Sequence, residues 1–121
     1  MDPDASRPID VRRLRQALGD LGAGTVFREL IGVFLHDTPE RLAALRRAAS
    51  AGDARGVKSA AHTIKGTCGF LGATGLVALC KEVERLSQSG AMAAAGPVLE
   101  QLEAEFQRVQ AALELELETR G

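Results

Sequence analysis

Residues 53–73 read DARGVKSAAHTIKGTCGFLGA, and the spacing within this stretch decides the fold. Asp53 stands where a helix N-cap belongs. Val57, Ala60, Ala61, Ile64, Cys68 and Leu71 then recur at the three- and four-residue intervals that gather side chains on one side of an α-helix. That side is a core-facing stripe. The other side carries a different set: counted from Val57 at 100° per residue, Lys65 falls at about 80°, Lys58 at about 100°, Gly69 at about 120°, His62 at about 140°, Arg55 at about 160° and Gly66 at about 180°. Two glycines inside a helix give up about 2 kcal/mol relative to alanine, so something other than helix stability favours Gly66 and Gly69.

Outward from this stretch the same rhythm repeats. After a polar leader, residues 1–8, Asp10 is placed to cap a short helix carrying Val11, Leu14 and Leu18 and closed by Gly19. From Thr25, the residues Phe27, Leu30, Ile31, Phe34, Leu35, Leu42, Leu45 and Ala49 keep helical spacing across Pro39, which predicts one bent helix or two abutting ones, with the disturbance near Asp37. Gly52 ends it. Beyond Ala73, Leu76, Leu79, Cys80, Val83 and Leu86 form a further stripe that SQSG terminates. The last helix is predicted from about Pro97, with an earlier turn in AMAAA, and carries Leu99, Leu102, Phe106, Val109 and Leu113; the alternating tail ELELETRG is expected to fray. Four long amphipathic segments after one short helix predict an all-α protein: an up-down-up-down antiparallel four-helix bundle with a short additional N-terminal helix, forming a single domain over 9–121.

Composition narrows the function classes. A chain of 121 residues, 45% apolar and 26% charged, fits one domain with a core of its own and leaves no room for a separate nucleotide-binding domain. Fifteen basic against sixteen acidic residues give a net charge of -1, and four Phe with no Trp or Tyr provide neither the positive field nor the stacking platforms of a nucleic-acid binder. No apolar run suits export or membrane spanning, so the expected location is cytoplasmic. Cys68, Cys80, His36 and His62 show no paired-ligand spacing, so no metal is expected and both cysteines read as small buried residues.

His62 stands among cations and missing side chains. A histidine with an unperturbed pKa of about 6.5 is largely neutral at pH 7, and a neutral imidazole is a nucleophile. Phosphorylation would add close to two negative charges, which Lys65 could offset, while Gly66 leaves space for a protein bearing a phosphoryl donor. His36 serves as the contrast: it is followed by Pro39 and Glu40, and it reads as an ordinary surface histidine.

The string HTIKGTCGFLGA, 62–73, resembles the signature of histidine-containing phosphotransfer (HPt) domains, H-x-[LI]-K-G-[ST]-x-x-x-[LF]-G, with His62, Ile64, Lys65, Gly66, Thr67, Leu71 and Gly72 in order. FLHDTPERLAALRRAASAGD before it and LVALCKEVERL after it also look like that family's flanking helices, so the resemblance runs from about Ile9 to Leu113. It implies that His62 is transiently phosphorylated, taking the group from a receiver-domain aspartate or a histidine kinase and passing it to another receiver. Lys65 would carry the phosphate charge, with Gly66, Gly69, Arg55 and Lys58 on the docking face. Glu84 matches an acidic residue that bonds the phospho-accepting ring in the chemotaxis-kinase branch; it either orients His62 or is a surface glutamate paired with Lys81 or Arg85. Phe70 departs from the family pattern and belongs either to the core or to the docking patch.

On this reading the protein is a monomeric phosphocarrier with no nucleotide site, metal or cofactor of its own, and the Mg²⁺ belongs to the partner receiver. A Met start and a full helix set are expected of a free-standing protein, although a piece of a hybrid kinase looks the same. Two rivals remain: a histidine-kinase phosphoacceptor segment, usually a two-helix hairpin with an acidic residue after the His, where Thr63 stands here; and a non-catalytic helical adaptor with His62 unmodified.

Overall fold

The structure, a computed structural model, describes residues 9–10 and 23–120. Four α-helices follow one another: α1 (Ala23–Ser50), α2 (Ala54–Phe70), α3 (Thr74–Gln88) and α4 (Ala95–Arg120), with a 3₁₀ turn at Met92–Ala94 before the last. Each helix packs on its neighbours in sequence, and α4 closes the ring against α1, so the bundle is antiparallel with short connections. No strand occurs among the described residues. The predicted short N-terminal helix, with Val11, Leu14 and Leu18, lies outside the described residues, as does the Phe27 side chain.

The predicted stripes meet in one core. Ile31, Phe34, Leu42 and Leu45 from α1 face Val57, Ala61, Ile64 and Cys68 from α2, Leu76, Cys80 and Val83 from α3, and Leu99, Leu102, Phe106, Val109 and Leu113 from α4. The Phe34 and Phe106 rings meet at 5.7 Å in a tilted pair, joining α1 to α4. On the surface of the same contact, Arg46 Nε donates to Glu103 at 3.0 Å.

α1 runs through Pro39 as a single helix, so of the two arrangements predicted there the unbroken one is found. Proline removes one backbone hydrogen bond. Yet Ile31, Phe34, Thr38, Leu42 and Leu45 are all buried on one side of α1, which holds both halves of the helix to the same core. Two boundaries differ from those read in the sequence. α4 begins at Ala95, two residues before Pro97, because the 3₁₀ turn leads directly into it. It also continues to Arg120 instead of fraying within ELELETRG. Leu113 and Leu117 lie one turn apart and both pack on the core, and Gln110 donates to Glu114 at 3.2 Å, while Leu115 between them stands 62% exposed.

The helix ends that position α2 follow capping chemistry. Asp53 accepts a hydrogen bond from Gly56 N–H at 2.9 Å, the predicted N-cap. At the other end Gly72 adopts φ +71°, and Ala73 N–H reaches back to Cys68 C=O at 3.0 Å. Gly72 also accepts from Asp10 N–H at 2.9 Å, with Ile9 buried as well, so residues 9–10 lie against the α2–α3 turn. A Cβ on Gly72 would stand 2.8 Å from the Asp10 carbonyl oxygen, which is backbone and cannot swing aside. Gly72→Ala is therefore expected to cost about 1–3 kcal/mol, from the left-handed conformation together with this clash. Urea denaturation would measure it, and an unchanged midpoint would contradict the contact.

Candidate functional site

α2 separates its two faces sharply. Val57, Ala61, Ile64 and Cys68 are buried, whereas the His62 side chain is 72% exposed. Arg55 and Lys58, two turns and one turn before it, are exposed as well and form no ion pair among the described residues. The predicted arrangement of His62, Arg55, Lys58 and Gly66 on one open face is present.

α3 supplies the third member of the site. Its Glu84 side chain is only 13% exposed and lies between two groups of α2, with Oε2 at 3.8 Å from His62 Nδ1 and Oε1 at 2.8 Å from Lys65 Nζ. The longer distance is an electrostatic contact and too long for a hydrogen bond. Glu84 thus faces His62 without the direct bond that orientation by hydrogen bonding would need. Lys81 and Arg85, the alternative partners, are not paired with it: Arg85 Nε donates instead to Glu82 at 3.0 Å. Lys65 lies half-buried, and Oε1 of Glu84 is a buried oxygen that the ammonium approaches closely but to which no directed hydrogen bond is made. This Lys65–Glu84 pair was not read from the sequence, because it depends on the register between α2 and α3, which periodicity within one helix does not carry.

Beneath the pair lies Cys80, whose thiol is pushed up to about 12, first by burial and then by the Glu84 charge, with Lys65 opposing. Burial is also the main cause of the rise to about 12 for Cys68. Both thiols are therefore protonated at neutral pH and inert as nucleophiles, which agrees with their reading as small core residues. The hydroxyls flanking His62 are turned onto their own helix, Thr63 donating to Ser59 C=O at 3.1 Å and Thr67 to Thr63 C=O at 3.5 Å. The His62 imidazole stands exposed beside them.

Gly66 and Gly69 are not required by packing within the chain. A Cβ at either position would meet nothing within 4 Å, unlike Gly72. From Gly69 a groove of about 360 Å³ continues between α2 and α3, lined further by Gly72, Ala73, Thr74, Val77, Ala78 and Lys81. Neither the groove nor Lys81 at its edge was singled out in the sequence; small residues on two separate helices become a groove only when the helices pack. Phe70, left open between core and surface, is 41% exposed at the end of α2.

His36 is at least as open to solvent, at 85% exposed, and differs from His62 in its neighbours. Its Nδ1 lies 3.0 Å from Asp37 Oδ1, and that contact holds its pKa above the usual value, first through the hydrogen bond and then through the charge. It has a carboxylate neighbour and no ammonium. Among the described residues no group of three or more His, Cys, Asp or Glu could hold a metal ion, and no helix is long and apolar enough to cross a membrane.

A helical bundle that presents one imidazole beside a lysine and bare glycine backbone is the form of a phosphotransfer module. The Hpt domain profile matches residues 29–112, and the chain belongs to this family. It is similar to the crystal structure of histidine-containing phosphotransfer protein B (HptB) from Pseudomonas aeruginosa PAO1, at 31% sequence identity and a TM-score of 0.85, over 94% of this chain and 97% of that one. No curated protein matches the sequence. The function defined by the family is histidine phosphotransfer in a phosphorelay, with histidine kinases and receiver domains as the class of partner. Such proteins are phosphocarriers and not enzymes in the ordinary sense, and the four-helix architecture sets the chain apart from a two-helix kinase hairpin.

Proposed function

We propose that His62 is the phosphoacceptor, exchanging a phosphoryl group with the aspartate of a receiver domain or accepting it from a histidine kinase. The observation that carries this reading is the ring's setting: 72% exposed, with Nδ1 turned toward the Glu84 carboxylate and Nε2 therefore toward solvent. With the proton on Nδ1, the Nε2 lone pair forms the bond to phosphorus. The acyl phosphate P–O bond breaks, and its electron pair stays on the departing aspartate carboxylate. The ring keeps its proton and becomes a phosphorylated imidazolium beside Glu84. Transfer onward reverses these events and releases a neutral imidazole.

Positioning and charge account for most of phosphoryl transfer, so this chain's part is to hold one ring rigidly on an open face. The buried stripe of α2 does so by fixing the helix to the core. Lys65 supplies positive charge next to the incoming group, and Glu84 orients the ring by its charge. Arg55, Lys58, Gly66 and Gly69 form the docking face together with the adjoining groove. The Mg²⁺ that assists the chemistry belongs to the receiver, and no nucleotide or metal is assigned to this chain. The carrier acts as a cytoplasmic monomer.

Incubation with a phosphorylated receiver domain tests the reading: an acid-labile label should appear on His62, and its absence with a panel of receivers would favour the adaptor. Gly66→Gln adds a second arm. A glutamine there fits within the chain, since nothing lies within 4 Å of the Cβ position, but it fills the space a receiver must enter. Receiver-to-His62 transfer is expected to slow by about tenfold or more, equivalent to about 1.4 kcal/mol or more, with the melting temperature held or slightly raised. Unchanged transfer would remove the docking role of Gly66.

A further inference from the structure

Phosphorylation of His62 would place a dianion within reach of the same ammonium that Glu84 already engages. Lys65 Nζ lies 2.8 Å from Glu84 Oε1, and Lys65 is also three residues from His62, one helical turn along α2. Two anions would then face one lysine. Resting on the assignment of His62 as phosphoacceptor, we propose that Glu84 competes with the phosphoryl group for Lys65, and so lowers the equilibrium occupancy of phospho-His62 and keeps it a ready donor.

Three features of the site support the competition. Oε1 is buried and has no directed hydrogen-bond donor, so a Lys65 that swung fully to the phosphoryl group would leave a carboxylate oxygen poorly compensated. Lys65 and Glu84 are both well covered, so their attraction is screened less than that of exposed pairs. Nor is a second cation built into the pair: Arg85 is engaged with Glu82, and Arg55 and Lys58 stand out in solvent. Orientation of the ring, assigned to Glu84 above, concerns the rate of transfer. The competition concerns the equilibrium, and it acts through Lys65.

The test uses the whole chain with phosphoramidate as donor and ammonium chloride as counter-reactant, so that no partner protein enters. Nε2 bonds to phosphorus as the P–N bond of phosphoramidate breaks and ammonia leaves; the reverse reaction restores both. The ratio of phosphorylated to free protein, reached from both directions, is read by intact mass and by ³¹P NMR. Glu84→Gln is expected to raise this ratio about fivefold and Lys65→Met to lower it by a similar factor. In the Lys65→Met background, Glu84→Gln should change the ratio less than twofold. Glu84→Leu, carried alongside, removes the charge by a different side chain, and circular dichroism verifies that each variant is folded.

An unchanged or reduced ratio in folded Glu84→Gln would overturn the competition, as would a fivefold rise that persists without Lys65. Failure of the underlying assignment looks different: wild-type protein would take no label at His62, or His62→Gln would label equally.

Discussion

His62→Gln is expected to remove the acid-labile phosphoryl label completely, while helical signal and melting stay close to wild type. Glutamine approximates the length and polarity of histidine, but its amide nitrogen has its lone pair delocalised into the carbonyl and cannot attack phosphorus. The structural cost is small for two reasons. The side chain is 72% exposed and contributes little packing, and its contact with Glu84 is long, at 3.8 Å. Exposed substitutions of this kind usually change stability by no more than about 0.5 kcal/mol, and glutamine is at least as good a helix former as histidine. Label from a phosphorylated receiver, followed by mild acid treatment, reads the chemistry; thermal melting reads the fold. Residual labelling in the variant would point to another nucleophile, for which His36→Gln is the control. His36 is poorly suited to the task, because Asp37 raises its pKa and thereby increases the protonated, non-nucleophilic fraction. A melting point far below wild type would instead mean that the imidazole supports the core, contrary to its open setting.

Which parts of this arrangement were legible in the sequence follows from the range of the interactions that fix them. The stripe Val57, Ala61, Ile64, Cys68 and the opposite face with His62 are set by 100° per residue within one helix, and both are found as read. The stop at Gly52 and the cap at Asp53 are equally local, requiring only a positive φ or a short carboxylate. The Lys65–Glu84 pair is nonlocal. It joins residues nineteen apart through the packing of α2 on α3, and nothing in either segment alone distinguishes Lys65 from Lys81 or Arg85 as the partner. The groove beside Gly69 has the same origin. Pro39 shows the converse limit: a local rule predicts a disturbance, but buried neighbours on both sides carry the helix through it. At the C-terminal end the polar alternation of ELELETRG obscured a four-residue pairing of Leu113 with Leu117 that keeps the helix going.

Ile64→Ala should produce the opposite phenotype to His62→Gln, from a position only two residues away. Ile64 is 1% exposed and sits in the middle of the α2 stripe, where it packs in the core cluster shared with α1, α3 and α4. Truncation removes three carbons from a fully buried side chain and leaves a cavity that four helices cannot close without moving together. Such changes cost about 2–5 kcal/mol. In a domain of this size that lowers the melting temperature by on the order of 10 °C or more, and the urea midpoint should fall with little change in slope. Labelling of His62 should nevertheless persist at temperatures where the variant is folded, since the imidazole, Lys65 and Glu84 are untouched and α2 remains capped by Asp53. A cost under about 1 kcal/mol would show that α2 is not anchored through this stripe. The open face would then lack the rigid support that presenting one ring to a receiver requires. Full stability loss together with lost labelling in the folded state would mean that the two faces are coupled, so that core packing sets the geometry of the site as well as the stability of the bundle.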